Sequence, residues 1–175
     1  MSSNQLPPID VLNSSSPSEF LHAVNILFET APPLSKSLLS SRPFSSYKDI
    51  ICKAEETIKT LDDKDRLEVI NAHPRIGEAG KLSTMSQSEQ HGEKEKSMTR
   101  DRLDAVDAEL QDLNRCYEEQ YGFRFVIFKG EKSKEEVIPI LKQRLASNDK
   151  HAEMEIGLRE MIQIARARLQ RLSKL

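Results

Sequence analysis

The sequence is poor in the residues that mark several protein classes. It has no tryptophan, six glycines and two cysteines among 175 residues, and this composition fits helices better than a loop-rich β architecture. Cys52 and Cys116 are far apart and form no C-x-x-C pair, so they indicate reduced cysteines of an intracellular protein. No apolar run approaches the length of a membrane span, and the first residues lack a signal-peptide pattern. We therefore expect no membrane partner.

Charge and missing motifs narrow the function classes further. The formal net charge of −2 gives no basic surface for nucleic acid. There is no P-loop, no G-x-G-x-x-G and no G-x-S-x-G, which weakens the case for a nucleotide-binding protein or a serine hydrolase. We expect no metal, because the acidic and histidine residues lack H-x-x-x-H or another compact ligand spacing. The residues considered for a metal site are His73, Glu78, Glu89 and His91.

Apolar residues recur at helical spacing along most of the chain. With 37% hydrophobic and 31% charged residues, this pattern predicts an all-α, single-domain helical bundle over residues 12–172, preceded by a flexible arm at residues 1–11. One apolar run, Phe123 to Phe128, is too short for a helix and predicts a buried extended insert. Helices are expected to begin at these capping residues: Ser16 or Ser18, Ser45 or Ser46, Asp62 or Asp63, Ser83 or Thr84, Thr99 or Asp101, and Ser133.

Two segments fit this scheme less simply. Pro139 lies beyond the first turn of the helix that Ser133 and Glu136 introduce, so that helix is expected to start later or to kink. The segment from His91 to Arg102 alternates in charge sign. A solvated loop or helix end is the preferred interpretation of that segment, ahead of a binding patch.

The stretch from Asn71 to Gln90 collects the residue types that acid–base chemistry needs. Pro74 restricts His73 to extended backbone angles and so ends the preceding helix, expected over residues 63–72. Gly77 and Gly80 keep the following residues irregular. A histidine at a helix-to-loop junction, facing a short polar helix, is a candidate site.

The short polar helix offers a second group of candidates. Ser86, Glu89 and Gln90 fall at i, i+3 and i+4, so they share one helix face. The alternative is a charged solvent face, since Ser86 and Glu89 also spell the S-x-x-E capping pattern. The residues alone therefore indicate a cofactor-free acid–base site on a helical scaffold, with both interpretations of this face open.

Two sequence blocks resemble the 2-oxo-4-hydroxy-4-carboxy-5-ureidoimidazoline (OHCU) decarboxylase family of urate breakdown. They are HP-x-x-G-E at residues 73–78 and S-x-x-E-Q at residues 86–90. Similar residues extend from about residue 12 to residue 172, and they include Arg42-Pro43-Phe44, Leu113-Asn114, Tyr121-Gly122-Phe123, Arg144-Leu145, Glu153 and Ile164 to Leu169. The segment at residues 91–102 is longer and more charged than is usual in the family.

The resemblance implies an all-helical, cofactor-independent lyase that acts as a homodimer and converts a ureido-imidazoline substrate to (S)-allantoin. It assigns His73 as the proton donor and Glu89 as the second catalytic residue. Arg168 would bind a substrate carbonyl or carboxylate, although the register also permits Arg166. The substrate-binding residues that the resemblance implies are Pro74, Ser86, Gln87, Ser88, Gln90, Phe125, Val126, Ile127, Phe128, Lys129 and Arg168.

The last three residues and two rival functions complete the expectations. Ser173-Lys174-Leu175 matches a peroxisomal targeting tripeptide, so we expect a peroxisomal location and an import receptor as partner. The alternatives to the decarboxylase are a non-catalytic helical module that binds ureides, and a lyase or hydrolase that acts on a related ureide. Loss of His73 or Glu89 would favour the binding module, and both are present.

Overall fold

Helices make up the regular structure of the chain, which the computed structural model describes over residues 5–78 and 82–173, apart from the side chain of Thr84. Within these ranges there is no strand, so the predicted all-α class is confirmed. The helices fall into two compact units. The first unit contains the chain up to Ala72 and again from Leu158, and the second contains His73 to Gly157.

The first unit is built from short amphipathic helices with polar caps. Ser16 caps the second helix in a reciprocal capping box with Glu19, and Ser46 and Asp62 cap the fourth and fifth. Because Phe20, together with other apolar side chains of these helices, is fully buried, each such side chain contributes about 1.5–3 kcal/mol. The helices are α1 (Ile9–Ser14), α2 (Pro17–Phe28), α3 (Pro32–Ser40), α4 (Tyr47–Thr60) and α5 (Asp63–Asn71).

Helix α1 corrects the expected arm at residues 1–11, since residues 9–11 are helical. Long-range contacts stabilise this helix, which is only six residues long. The Asn13 side chain donates to the Phe44 carbonyl oxygen at 2.8 Å and accepts from the Phe44 N–H at 2.9 Å. Leu12 is fully buried, and the Tyr47 hydroxyl donates to the Pro7 carbonyl oxygen at 2.7 Å.

The second unit contains the candidate site. Its helices are α6 (Thr84–Gln90), α7 (Glu93–Lys96), α8 (Arg100–Tyr121), α9 (Lys134–Ala146) and the first part of α10 (Lys150–Leu172), whose remainder belongs to the first unit. Helix α8 packs against α9 and ends at Gly122, whose φ of +82° is the left-handed conformation of a glycine cap. Ser83 and Thr99 cap α6 and α8, and Ser133 forms the predicted capping box with Glu136.

Helix α9 begins at Lys134, immediately after its cap, and continues through Pro139. The predicted later start is therefore wrong, because the capping box supports the first turn. None of the described helices combines the length and the apolar content needed to cross a bilayer. Cys52 on α4 and Cys116 on α8 are exposed free thiols, one in each unit.

Candidate active site

Residues 73–78, termed the His73 loop, follow α5 and carry the predicted proton donor. His73 is buried, with 2% of its surface exposed. The Arg124 guanidinium donates to the His73 carbonyl oxygen at 2.8 Å, and Pro74 next to it is half-buried. The predicted junction between helix and loop is therefore present, and His73 is held at it by a charged donor.

Neutral side-chain amides bind the backbone of the His73 loop. Gln90 accepts from the Gly77 N–H and donates to the Arg75 carbonyl oxygen, both at 3.1 Å. Asn114 donates to the Ile76 carbonyl oxygen at 2.8 Å, and Gln111 donates to that of Gly77 at 3.1 Å. Gln90 thus uses both ends of its amide to shape the loop, and its expected contact with substrate stays a prediction. An irregular buried segment needs such partners for its backbone polar groups.

Gly77 is the one position of the His73 loop where a side chain is excluded twice over. Its φ of +81° lies in the left-handed region, where a Cβ is strained. A Cβ built there would also lie 2.8 Å from the Leu110 Cβ on α8. The predicted irregular bend therefore depends on glycine both for its backbone angle and for its close packing on α8.

Helix α6 has a less exposed face and an exposed face that separate the predicted binding residues. Ser86 is buried and Glu89 is half-buried, whereas Gln87 and Ser88 are exposed. Because the cap of α6 is Ser83, Ser86 lies inside the helix and is not a cap. The capping alternative for Ser86 and Glu89 is therefore wrong.

Gln87 and Ser88 form local hydrogen bonds. Gln87 donates to the Leu82 carbonyl oxygen at 3.2 Å, and the Ser88 hydroxyl donates to that of Met85 at 2.9 Å. These contacts satisfy both side chains within α6 and the residue before it. They place neither Gln87 nor Ser88 on the face that Ser86 and Glu89 share.

Residues 123–129, termed the insert, contain the predicted segment from Phe123 to Phe128 and form neither helix nor strand. Phe125, Val126 and Lys129 are buried, and Ile127 and Phe128 are half-buried. The Val126 carbonyl oxygen accepts from the Arg144 guanidinium at 2.8 Å. The Lys129 carbonyl oxygen accepts from the Lys132 N–H at 3.1 Å.

A buried group of charged and aromatic side chains, termed the Arg144 cluster, supports the middle of the insert. Arg144 pairs with Glu153 at 2.7 Å, and the Tyr117 hydroxyl donates to the same carboxylate at 2.7 Å. The guanidinium also lies over the Phe125 ring, 4.6 Å from its centre. Burial raises the pKa of Tyr117 well above its usual range, so the phenol stays a neutral donor.

The end of the insert is held by a second ionic group, termed the Glu95 cluster. Its four members are Glu95, Lys129, Lys134 and Asp107. The Lys129 ammonium lies 3.4 Å from the Glu95 carboxylate, and the Lys134 ammonium lies 2.8 Å from the Asp107 carboxylate. Glu95 belongs to α7, so the solvated interpretation of residues 91–102 is wrong at this position.

From the sequence, Phe125 and Lys129 were assigned to substrate binding, but no role was assigned to Arg144, Glu153 or Glu95. Glu95 lies in a run of residues that alternate in charge sign. Its neighbours in that run are charged as well but exposed, so the sequence does not distinguish the buried residue from them. Arg144 and Glu153 are nine residues apart on different helices, a spacing without local meaning. Only the contacts with partners far away along the chain show that these residues are buried and paired, and those contacts exist only in the folded chain.

The two candidate arginines of α10 differ sharply in their surroundings within the first unit. Arg168 is buried and pairs with Glu29 at 3.4 Å, while its second nitrogen donates to the Leu27 carbonyl oxygen at 3.4 Å. Arg166 is exposed and pairs with Glu55 at 2.6 Å. Burial and multiple acceptors make Arg168 the better candidate, and its contact with substrate stays a prediction.

A groove of about 650 Å³ opens beside the His73 loop, and Glu78 of that loop is among the residues that line it. Arg75 lines it and pairs with Glu118 at 2.5 Å, and this hydrogen bond raises the pKa of Arg75 further above its usual range. None of the residues predicted to act in catalysis or to bind substrate lines this groove. Among the described residues, no three histidine, cysteine or acidic side chains gather in a way that could hold a metal ion.

Comparison with known proteins identifies the family. The model of the family described as OHCU decarboxylase matches residues 13–170. The chain belongs to the OHCU decarboxylase family. It is accordingly an enzyme, a carboxy-lyase of urate degradation.

Relatives in distant organisms support the assignment along nearly the full length. An OHCU decarboxylase of Amia calva is 30% identical over 91% of this chain and 90% of its own. One of Halalkalicoccus jeotgali is 28% identical over 94% and 91%. A uric acid degradation bifunctional protein of Bacillus sp. (strain TB-90) is 33% identical over 91% of this chain, which spans only 31% of that relative.

Two solved structures share the helical fold of the OHCU decarboxylase family. An OHCU decarboxylase crystallised in the presence of (S)-allantoin superposes with a TM-score of 0.64 at 24% identity, covering 86% of this chain and 94% of the other. An (S)-allantoin synthase superposes with a TM-score of 0.64 at 19% identity, covering 95% and 54%. At these identities the two likenesses establish the fold alone.

Proposed function

We propose that this chain converts OHCU to (S)-allantoin and CO2 with His73 as the proton donor. The observation that carries the proposal is the His73 loop, in which a buried histidine stands beside backbone that side-chain amides hold in place. The decarboxylase relatives support the reaction. The residue roles rest on the match between the HP-x-x-G-E block and this geometry.

The reaction needs orientation and one proton. The substrate carbon that loses CO2 neighbours an unsaturated ring carbon, so the electron pair of the breaking bond passes into the ring as CO2 leaves. The neighbouring ring carbon, which carries the ureido group, then takes up a proton while the hydroxyl on the decarboxylated carbon loses its proton and becomes a carbonyl. Delivery of the proton to one face of that neighbouring carbon gives one hand of product. The protein has to hold the carboxylate out of the ring plane and supply that proton.

His73 and Glu89 are assigned complementary parts in this step. A protonated imidazole can donate a proton to carbon, and His73 is assigned that donation. Glu89, on the less exposed face of α6, would orient the ureido N–H groups or pair with His73 and favour the imidazolium. Ser86, buried on the same face, adds a hydroxyl for a polar substrate contact.

We assign the main chain of the insert, from Phe125 to Lys129, as the wall of the site against which the substrate ring lies. The Arg144 cluster fixes Val126 and the Glu95 cluster fixes Lys129. The outline of the wall is therefore set before substrate binds, which lowers the ordering cost of binding.

A stereochemical assay tests the function. OHCU is generated in place from urate with urate oxidase and hydroxyisourate hydrolase, and circular dichroism is followed after the protein is added. Uncatalysed decay gives racemic allantoin without a lasting signal. We expect a fast signal of one hand from the wild type and from the control His151→Ala, an exposed histidine of the same unit, and none from His73→Ala.

The outcomes separate the rival functions. An undiminished rate in His73→Ala would exclude His73 as the proton donor and leave the decarboxylase in place. Absence of signal from folded wild-type protein would exclude the reaction and favour the ureide-binding module. Turnover of another ureide under the same conditions would favour the altered substrate.

We also propose that the enzyme is a homodimer imported into peroxisomes through Ser173, Lys174 and Leu175. The last two residues lie outside the described residues, so the proposal rests on the sequence pattern. A fluorescent reporter ending in this tripeptide should enter peroxisomes, and the same reporter with Leu175 masked should not. Light scattering of the purified chain should give twice the 19.9 kDa monomer mass.

A further inference from the structure

Helix α7 carries one buried carboxylate in an otherwise exposed charged segment. The Glu95 side chain is 1% exposed, whereas Glu93, Lys94 and Lys96 are all exposed. Burying a carboxylate is costly unless cations and N–H donors surround it. The position of Glu95 therefore needs a structural or functional explanation that a solvated loop does not provide.

Both Glu95 oxygens are occupied by groups from other elements. One oxygen accepts from the Lys134 N–H at the start of α9 at 2.7 Å, where the positive end of the helix dipole also favours an anion. Both oxygens lie 3.4 Å from the Lys129 ammonium at the end of the insert. Since Lys134 in turn pairs with Asp107, the Glu95 cluster is balanced, with two positive and two negative groups.

The packing around the Glu95 carboxylate is close. A Cβ placed on Gly92, the residue that precedes α7, would lie 3.2 Å from a Glu95 oxygen and 3.6 Å from the Lys129 ammonium. Helix α7 also follows α6 after only two residues. Glu95 thus connects the segment that carries Glu89 with the insert, and both belong to the same unit.

We propose that Glu95 is a positioning residue, which fixes the end of the insert through Lys129 and so sets the wall that orients the substrate ring. This inference rests on the proposed function for its catalytic consequence. The charged segment at residues 91–102 then links α6, which carries Glu89, to the insert. The proposal predicts that Glu95 affects substrate orientation without touching the substrate.

The test is a double-mutant cycle with an internal control. Glu95→Gln keeps an oxygen for the Lys134 N–H but removes the charge that faces Lys129, and Glu93→Gln changes an exposed carboxylate of the same helix. We expect Glu95→Gln to lower kcat/KM by about ten- to a hundredfold, mainly through KM, and to lower the excess of (S)-allantoin. Glu93→Gln should stay within about twofold of wild type.

The second arm identifies the route. If Glu95 acts through Lys129, adding Glu95→Gln to Lys129→Met should cause no further loss, whereas independent effects would multiply. A multiplied loss would overturn the proposal. So would a lower kcat with unchanged KM and unchanged product handedness, because that pattern indicates only a smaller folded fraction.

Hydrogen exchange of the insert amides gives a readout that does not depend on turnover. Glu95→Gln should reduce protection over residues 126–129 at a temperature where the rest of the unit stays protected, and Glu93→Gln should not. Unchanged protection would overturn the proposal even if activity fell. A wild-type protein without turnover would contradict the proposed function, and the exchange result would still decide whether Glu95 orders the insert.

Discussion

The His73 loop and the insert are both irregular segments of the second unit, yet their backbones are held by different chemistry. Neutral amides of Gln90, Gln111 and Asn114 bind residues 75–77 of the loop. Buried ion pairs of the Arg144 and Glu95 clusters hold the insert. Every buried backbone group needs a partner, and the two segments show two ways of providing one.

The two kinds of contact differ in how much free energy of unfolding is lost when one partner is removed. Removing one partner of a buried ion pair leaves a charge without compensation, which costs about 3–5 kcal/mol. Removing an amide leaves an unpaired polar group, which costs about 1–3 kcal/mol. We therefore expect the insert to be more sensitive to single substitutions than the His73 loop, except at Gly77.

The largest effect should follow from Arg144→Met in the Arg144 cluster. It leaves the buried Glu153 carboxylate without its cation and the Val126 carbonyl oxygen without its donor, so the free energy of unfolding should fall by about 3–5 kcal/mol. Urea denaturation measures the change. The control Lys142→Met removes an exposed pair with Glu109 and should cost less than about 1 kcal/mol. Equal losses in the two variants would show that burial does not distinguish these pairs.

Gly77→Ala should be the next most damaging change, and it is the exception within the His73 loop. The new Cβ would be strained at a left-handed backbone angle and would also clash with Leu110. The free energy of unfolding, measured by urea denaturation, should therefore fall by about 2–4 kcal/mol. Gly130→Ala is the matched control, because that glycine also has positive φ but its nearest neighbour would lie 3.7 Å away. If both cost the same, strain alone accounts for the effect.

A smaller loss is expected from Gln90→Ala, which removes two hydrogen bonds to the His73 loop. The free energy of unfolding should fall by about 1–3 kcal/mol, and turnover should fall as well because the loop carries His73. The exposed Gln87→Ala on the same helix should change the stability by less than about 0.5 kcal/mol. A stable Gln90→Ala protein with impaired turnover would instead support a direct substrate contact for Gln90.

The smallest effect is expected for the exposed ion pair between Lys94 of α7 and Glu136 of α9. The hydrogen bond from Lys94, together with those from Ser133, lowers the pKa of Glu136 from 4.5 to about 2. The ionised carboxylate is favoured by folding, so its contribution is present above pH 4.5 and is lost as the pH falls toward 2. In denaturation at a series of pH values, the stability gap between wild type and Glu136→Gln should close over this window. A gap that is constant with pH would contradict the assignment.

Local features account for most of what could be predicted about the fold. The box of Ser133 and Glu136, the cap at Asp62 and the glycine after α8 act within three or four residues, so the sequence displays them directly. Helix α1 escaped prediction because its stability depends on the contact between Asn13 and Phe44, which are 31 residues apart. No local pattern announces such a contact.

The same limit applies to the candidate site. Pro74 and the glycines indicate the bend at His73, and helical spacing indicates the face of Ser86 and Glu89. The hydrogen bonds from the Gln90 amide to the His73 loop could not be predicted, because the two backbone partners lie 13 and 15 residues away along the chain. Glu95 was hidden among exposed charges, since its burial is decided by Lys129 and Lys134 more than 30 residues away.

The two exposed thiols offer a consequence of a different kind. Cys52 lies on α4 in the first unit and Cys116 on α8 in the second, and neither is a predicted site residue. A spin label attached to each thiol would allow the distance between the two labelled positions to be measured without any substitution in the chain. Pulsed electron resonance with and without (S)-allantoin would then report whether their separation changes when product is bound.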